Sequence, residues 1–321
     1  MTTAEAERKS LNCKGCGAPI DYLAGEATLT CGYCGNTTML ATMGTILPVE
    51  KHFLLAPRVD KTAMEAEIRK WMGVGFFKPK DLPEKGVLGA PQGIVLPFWV
   101  VACRAFTQWS GQNRRTRTVG SGKHSRTETY YVPASGTFED NHNWSIYARR
   151  GEEWFGIDAL NPGAVKTAAD WGGFFLNFGL GNETSQGMNL LQGATAFDIK
   201  AITEGMSIKN GQINQEQAEQ EARGQITRFS RATADGKVDT LSDCDTQISV
   251  DGTYLVHVPL WVWSYQYETK NFRLLLNGFT GQIIKGEHPV GKYDKLIVLL
   301  VVLLLVGGIV ALIVFAMTHR G

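Results

Sequence analysis

The sequence lacks an excess of either charge: 32 Lys and Arg stand against 31 Asp and Glu among 321 residues. That balance excludes a globally basic nucleic-acid binder and an acidic disordered tail. Recognisable catalytic motifs are missing as well. There is no Walker-type phosphate loop, no complete Gly-x-Gly-x-x-Gly fingerprint, no His-Glu-x-x-His and no Gly-x-Ser-x-Gly. His52, His124, His142, His257, His288 and His319 are scattered, with no pair at catalytic or metal-ligand spacing. Glu152, Glu153 and Asp158 read as solvated surface carboxylates. The chain therefore reads as a non-enzyme, with a hydrolase site between two internal repeats of the chain as the third-ranked alternative. Met1–Ser10 lacks the apolar core of a secretory signal, which places the bulk of the chain in the cytoplasm by expectation.

What is present begins with six cysteines, and four of them are patterned. Cys13-Lys14-Gly15-Cys16 and Cys31-Gly32-Tyr33-Cys34 are two Cys-x-x-Cys pairs separated by a short spacer. Four thiolates at this spacing suit a tetrahedral metal, and four sulfurs close its coordination sphere, so Zn2+ in a structural role is the expected cofactor. A thioredoxin-type dithiol would need a βαβ context that is absent, and disulfides would need an oxidising compartment. Gly17 and Gly35 each follow the second cysteine of a pair, where a tight turn favours glycine. Between the pairs, Ile20–Tyr22 and Ala27–Thr30 are expected to pair as two short strands about a turn at Ala24–Glu26. Cys103 and Cys244 stand apart, without a neighbouring histidine, and read as structural.

Apolar runs are short, with one exception. Leu296–Met317 carries no charged residue and is long enough to cross a bilayer as a helix. The expectation is a single-pass, tail-anchored protein at the cell membrane with its bulk in the cytoplasm.

Between these ends the chain looks internally repeated. A helix near Asp60–Met72 precedes Leu96-Pro97-Phe98-Trp99-Val100, and a helix near Gln215–Phe229 precedes Val258-Pro259-Leu260-Trp261-Val262. Trp261, Trp263, Tyr265 and Tyr267 alternate along the second strand, as a sheet core does. The 36 glycines favour turns and strands over long helices. The fold class expected is α+β: a zinc ribbon (10–44), a first sheet-plus-helix repeat (49–165), a Gly/Phe-rich inter-repeat segment (166–196), a second repeat (197–291) and the transmembrane helix (296–317). The first repeat carries a basic hairpin insertion. Arg114, Arg115, Arg117, Lys123 and Arg126 occur there without an acid between them, and they are the candidate contacts for an anionic partner.

Cys13–Cys34, Leu96–Trp99, Ala134–Gly136 and Val258–Pro289 together resemble a family of bacterial membrane-anchored zinc-ribbon proteins with a transcription factor IIB-type ribbon and tandem β-rich repeats. Its members often carry a label borrowed from the primosomal helicase, which does not transfer to a chain without a nucleotide-binding motif. Some similar proteins work beside flotillin-like (SPFH) scaffolds, so the resemblance implies a membrane adaptor that recruits protein partners, a flotillin-like protein among them. The leading expectation is thus an adaptor. The second is a membrane-tethered nucleic-acid binder using the ribbon and the Arg114–Arg126 loop. A homo-oligomer stays open.

Overall fold

A computed structural model describes residues 8–40, 46–75, 78–122, 125–150, 155–160 and 189–289. The chain opens with five short strands, β1 (Arg8–Asn12), β2 (Pro19–Leu23), β3 (Thr28–Thr30), β4 (Thr37–Leu40) and β5 (Ile46–Pro48). β1 pairs with β2, and β3, β4 and β5 form a three-stranded antiparallel sheet. Each Cys-x-x-Cys therefore closes its own hairpin. The expected pairing of the second and third strands with each other gives way to this arrangement.

The remaining strands join one nine-stranded sheet. They are β6 (His52–Leu54), β7 (Val87–Leu88), β8 (Gln92–Val119), β9 (Arg126–Tyr147), β10 (Thr195–Ala196), β11 (Ser207–Ile208), β12 (Thr240–Tyr267), β13 (Lys270–Asn277) and β14 (Ile283–Gly286). The frame is the antiparallel trio β9–β8–β12. β12 is shared along its length: β6 runs parallel to Leu255–His257 on the edge away from β8, and β13 returns along Leu260–Tyr267. Register shifts at Leu241/Asp243 and Val250/Gly252 mark bulges, which let a 28-residue strand bend and twist.

Three α-helices are described: α1 (Lys61–Gly73), the short α2 (Leu82–Lys85) and α3 (Gln215–Asp235). α1 starts at Asp60, whose carboxylate accepts from the Ala63 N–H at 2.8 Å. Its Met64, Ile68 and Met72 pack against Trp263, Tyr265, Tyr267, Leu274 and Leu276. α3 starts in a capping box in which Asn214 and Gln217 bond reciprocally. It buries Ala218, Ala222, Ile226, Ser230 and Ala234, one residue per turn, against Trp99, Val101, Cys103, Trp144 and Leu255. The small side chains on α3 leave room for the two indoles of the sheet. Trp99 donates to the Ile213 carbonyl and Trp144 to Gln225, both at 2.8 Å.

These observations correct two expectations. The α+β class is replaced by a predominantly β architecture, and the two expected sheet-plus-helix repeats share one sheet, a point the sequence leaves open. The two Pro-x-Trp segments lie side by side in one sheet, with Leu96 opposite Val258 and Val95 opposite Pro259. The apolar run 296–317 lies outside the described residues, and among the described residues no helix is long and apolar enough to cross a membrane. The longest described helix, α3, is an amphipathic cover for the sheet and carries Glu216, Glu221, Arg223, Arg228 and Arg231. The single-pass placement at the cell membrane is accordingly not supported. Residues 161–188, most of the expected Gly/Phe-rich segment, also lie outside the described residues, as does Lys123.

Candidate metal centre and projecting arm

The two cysteine turns are built alike. In the first, Cys13 N–H donates to the Ala18 carbonyl and Gly17 N–H to the Cys13 carbonyl; in the second, Cys31 N–H donates to Asn36 and Gly35 N–H to Cys31. All four bonds measure 2.8 or 2.9 Å. Gly17 and Gly35 sit at φ of 76° and 77°, the left-handed region that a side chain disfavours. The turns face each other, so Cys13 Sγ lies 3.6 Å from Cys34 Sγ and Cys16 Sγ 3.7 Å from Cys31 Sγ. All four ligand atoms fall within 4.8 Å of one another. A tetrahedral ion with metal–sulfur bonds of about 2.3 Å needs sulfurs roughly 3.8 Å apart. The set could hold one metal ion, and its spacing is compatible with structural zinc.

Electrostatics point the same way. Burial opposes ionisation of Cys13, yet N–H groups of Cys16 and Gly15 and the thiols of Cys34 and Cys31 bring its pKa down to about 7. An N–H from Asn36 favours the Cys34 thiolate, but burial and the neighbouring sulfurs of Cys16, Cys13 and Cys31 outweigh it and push that thiol up to about 12. One thiolate forms readily and then resists the next, which is the repulsion a dication relieves. Cys103 lies in the core under α3, where burial pushes its thiol up to about 11.

The metal turns are fastened to the large sheet. Thr28 and Gly211 exchange backbone hydrogen bonds at 2.9 and 2.8 Å. Glu26 and Arg149, both nearly fully buried, approach to 3.5 Å. Beside Cys31, Thr30 Oγ1 lies 2.9 Å from Thr37 Oγ1 and 3.4 Å from His257 Nε2. His257 Nδ1 in turn lies 2.9 Å from His52 Nε2, and the Phe197 ring stacks on His52 at 4.0 Å. Burial drives the His52 pKa down to about 3, and burial together with His52 drives that of His257 well below its ordinary value. Both imidazoles are therefore neutral, one donating to the other. Sequence reading passed over this pair because its members are 205 residues apart.

The basic residues occupy the end of the β8–β9 hairpin. β12 pairs with β8 only as far as Gln112, opposite Thr240. Beyond that point 113–119 and 126–132 continue as a two-stranded arm, about 24 Å long at ~3.4 Å per residue. Its base is fixed by Asp239, whose carboxylate accepts from the Arg114 N–H at 2.8 Å and whose own N–H donates to Asn113 at 3.2 Å. Arg114 faces Tyr131 across the ladder, Arg115 faces Tyr130 and Val119 faces Arg126. Arg117 pairs with Glu128 at 2.9 Å. Tyr130 and Tyr131 are 42% and 57% exposed, too much for packing to explain them.

Elsewhere a groove of about 430 Å³ runs between the ribbon and α3, lined by Met39, Val49, Trp99, Glu219 and Asp251 among others. Two of its three carboxylates are engaged: Glu219 accepts from Thr253 at 2.6 Å, and Asp251 pairs with Arg104 at 3.2 Å; Glu50 is the third. No family model, curated protein or solved structure matches the chain.

Proposed function

We propose that this chain is a non-catalytic adaptor in which one structural zinc, held by Cys13, Cys16, Cys31 and Cys34, stiffens a head fused to a β-sheet platform, and the platform presents an arm to a macromolecular partner. The observation that carries this reading is the arm. It projects beyond the third strand, builds no core, and displays arginines and tyrosines on both faces. Exposed tyrosine and arginine are the side chains that interfaces favour over ordinary surface. The zinc would act as a cross-link between two hairpins too small to fold alone.

The test is affinity purification of the full chain beside an arm-shortened chain, in which a two-residue turn joins Asn113 to Val132, with and without nuclease. The expected result is a partner recovered with the intact arm and lost with the short one. Identical recoveries from both chains would sink the reading.

A further inference from the structure

Taking the adaptor reading as its basis, we propose that the partner of the arm is double-stranded DNA, with the two-stranded ribbon of 113–119 and 126–132 lying in the major groove and Arg114, Arg115 and Arg126 meeting the phosphates along its two edges. Three observations carry this beyond a generic basic patch.

The first is shape. The major groove is about 12 Å wide and admits a two-stranded β-ribbon, whereas the A-form RNA groove is too narrow for one. The arm is such a ribbon, and among the described residues neither a third strand nor a covering helix lies along its ladder.

The second is the placement of charge. Cross-strand partners share a face, so Arg115, Arg117, Arg126 and Tyr130 belong to one face, and Arg114 and Tyr131 to the other. A ribbon in the major groove turns one face to the base edges and has a phosphate wall along each of its strands. Arg114 and Arg115 lie on β8 and Arg126 on β9, so each edge of the ribbon carries a cation. Four arginines stand here against Glu128, which Arg117 takes, and Asp239 at the base, whose carboxylate accepts from the Arg114 N–H. Arg114, Arg115 and Arg126 are exposed and form no ion pair among the described residues.

The third is the tip. Residues 120–125 are Gly-Ser-Gly-Lys-His-Ser, and the described Gly120, Ser121 and Gly122 are exposed. A lipid-inserting tip would carry an apolar wedge, and this sequence has none. The tyrosines add contact area and phenol hydroxyls that can bond to phosphate oxygens.

The test is fluorescence anisotropy of a labelled ~20-base-pair DNA duplex with the full chain in mild detergent, from about 50 to 300 mM KCl. Binding is expected to weaken with salt with a log–log slope near −2.7, as about three neutralised phosphates give. The triple variant R114A/R115A/R126A should lose at least ~10-fold in affinity at low salt, with its slope falling towards zero. R114K/R115K/R126K keeps the charges and should retain the slope. Thermal unfolding should be unchanged in both, because these side chains lie outside the core.

No anisotropy change at low salt would overturn the proposal, as would binding that the alanine variant leaves intact. Tighter binding to an RNA duplex, or arm-dependent binding only to phosphatidylserine micelles, would overturn it in favour of those ligands. Arm-dependent capture of a nuclease-resistant protein without duplex binding would leave the adaptor reading standing and remove this one.

Discussion

At the scale of single residues the metal centre makes the sharpest demand. Cys13 and Cys31 are buried, while Cys16 and Cys34 are exposed, so each hairpin contributes one inward and one outward sulfur. Replacing an inward one leaves three ligands and a buried hydroxyl. Cys31→Ser is expected to reduce the metal content from one ion per chain to a small fraction of that, measured by atomic emission on freshly purified protein. A variant that retained a full equivalent of metal would show that the four sulfurs do not act together. This site was legible in the sequence because its information is local: two short spacings and a glycine after each pair. The neighbouring His52–His257 contact carries no such local mark. Its members belong to different strands, and only the parallel pairing of β6 with β12 brings them together.

At the scale of elements, α3 shows how the interior sets a helix face. Ala218 and Ala222 are fully buried, and the volume they leave open is filled by Trp99 and Trp144. Ala222→Leu would force three extra carbons into a closed contact and should cost about 1–3 kcal/mol. Asn214→Ala would remove the bond its side chain accepts from the Gln217 N–H while leaving the residue-214 N–H bonded to Gln217, for about 1 kcal/mol. Denaturant unfolding of the two variants and their double mutant checks both figures; the sites are two turns apart, so the losses should add. A stabilised Ala222→Leu would mean that α3 sits further from the sheet than described.

The amphipathic helices and the alternating aromatic strand could be read from periodicity. Strand pairing could not. Leu96–Val100 and Val258–Val262 resemble each other, which suggested two similar units, yet they are neighbours within one sheet. Pairing between distant strands depends on register and burial and leaves no short-range signature. The arm illustrates the same limit. Its arginines were visible as a run of charge, but its projection follows from where β12 begins, more than a hundred residues later.

At the scale of the whole molecule, the cysteine-bearing head is tied to the large sheet by backbone hydrogen bonds and the buried Glu26–Arg149 pair, and the histidine pair beside these ties makes the union sensitive to acid. In the folded chain His52 is held at a pKa of about 3 and His257 is also well below its ordinary value, both chiefly through burial. In the unfolded chain each titrates near 6.5. Above pH 6.5 both states bind no proton at these sites, so their contribution is complete. As pH falls below 6.5 the unfolded chain takes up protons that the folded chain refuses, and stability drops, by up to about 1.4 kcal/mol per pH unit for each imidazole. For His52 this loss continues until about pH 3. Denaturant unfolding between pH 7.5 and 5.5, with metal in excess to keep the cysteine site filled, is expected to show stability falling towards acid. His52→Gln keeps a hydrogen-bonding group beside His257 but cannot be protonated, so the variant should lose part of that slope, the rest staying with His257 and with His142, whose pKa burial also lowers. A wild-type curve flat across this range would mean that the unfolded chain gains no protons over the folded one, and the two imidazoles would then have to be reached by solvent in the folded protein.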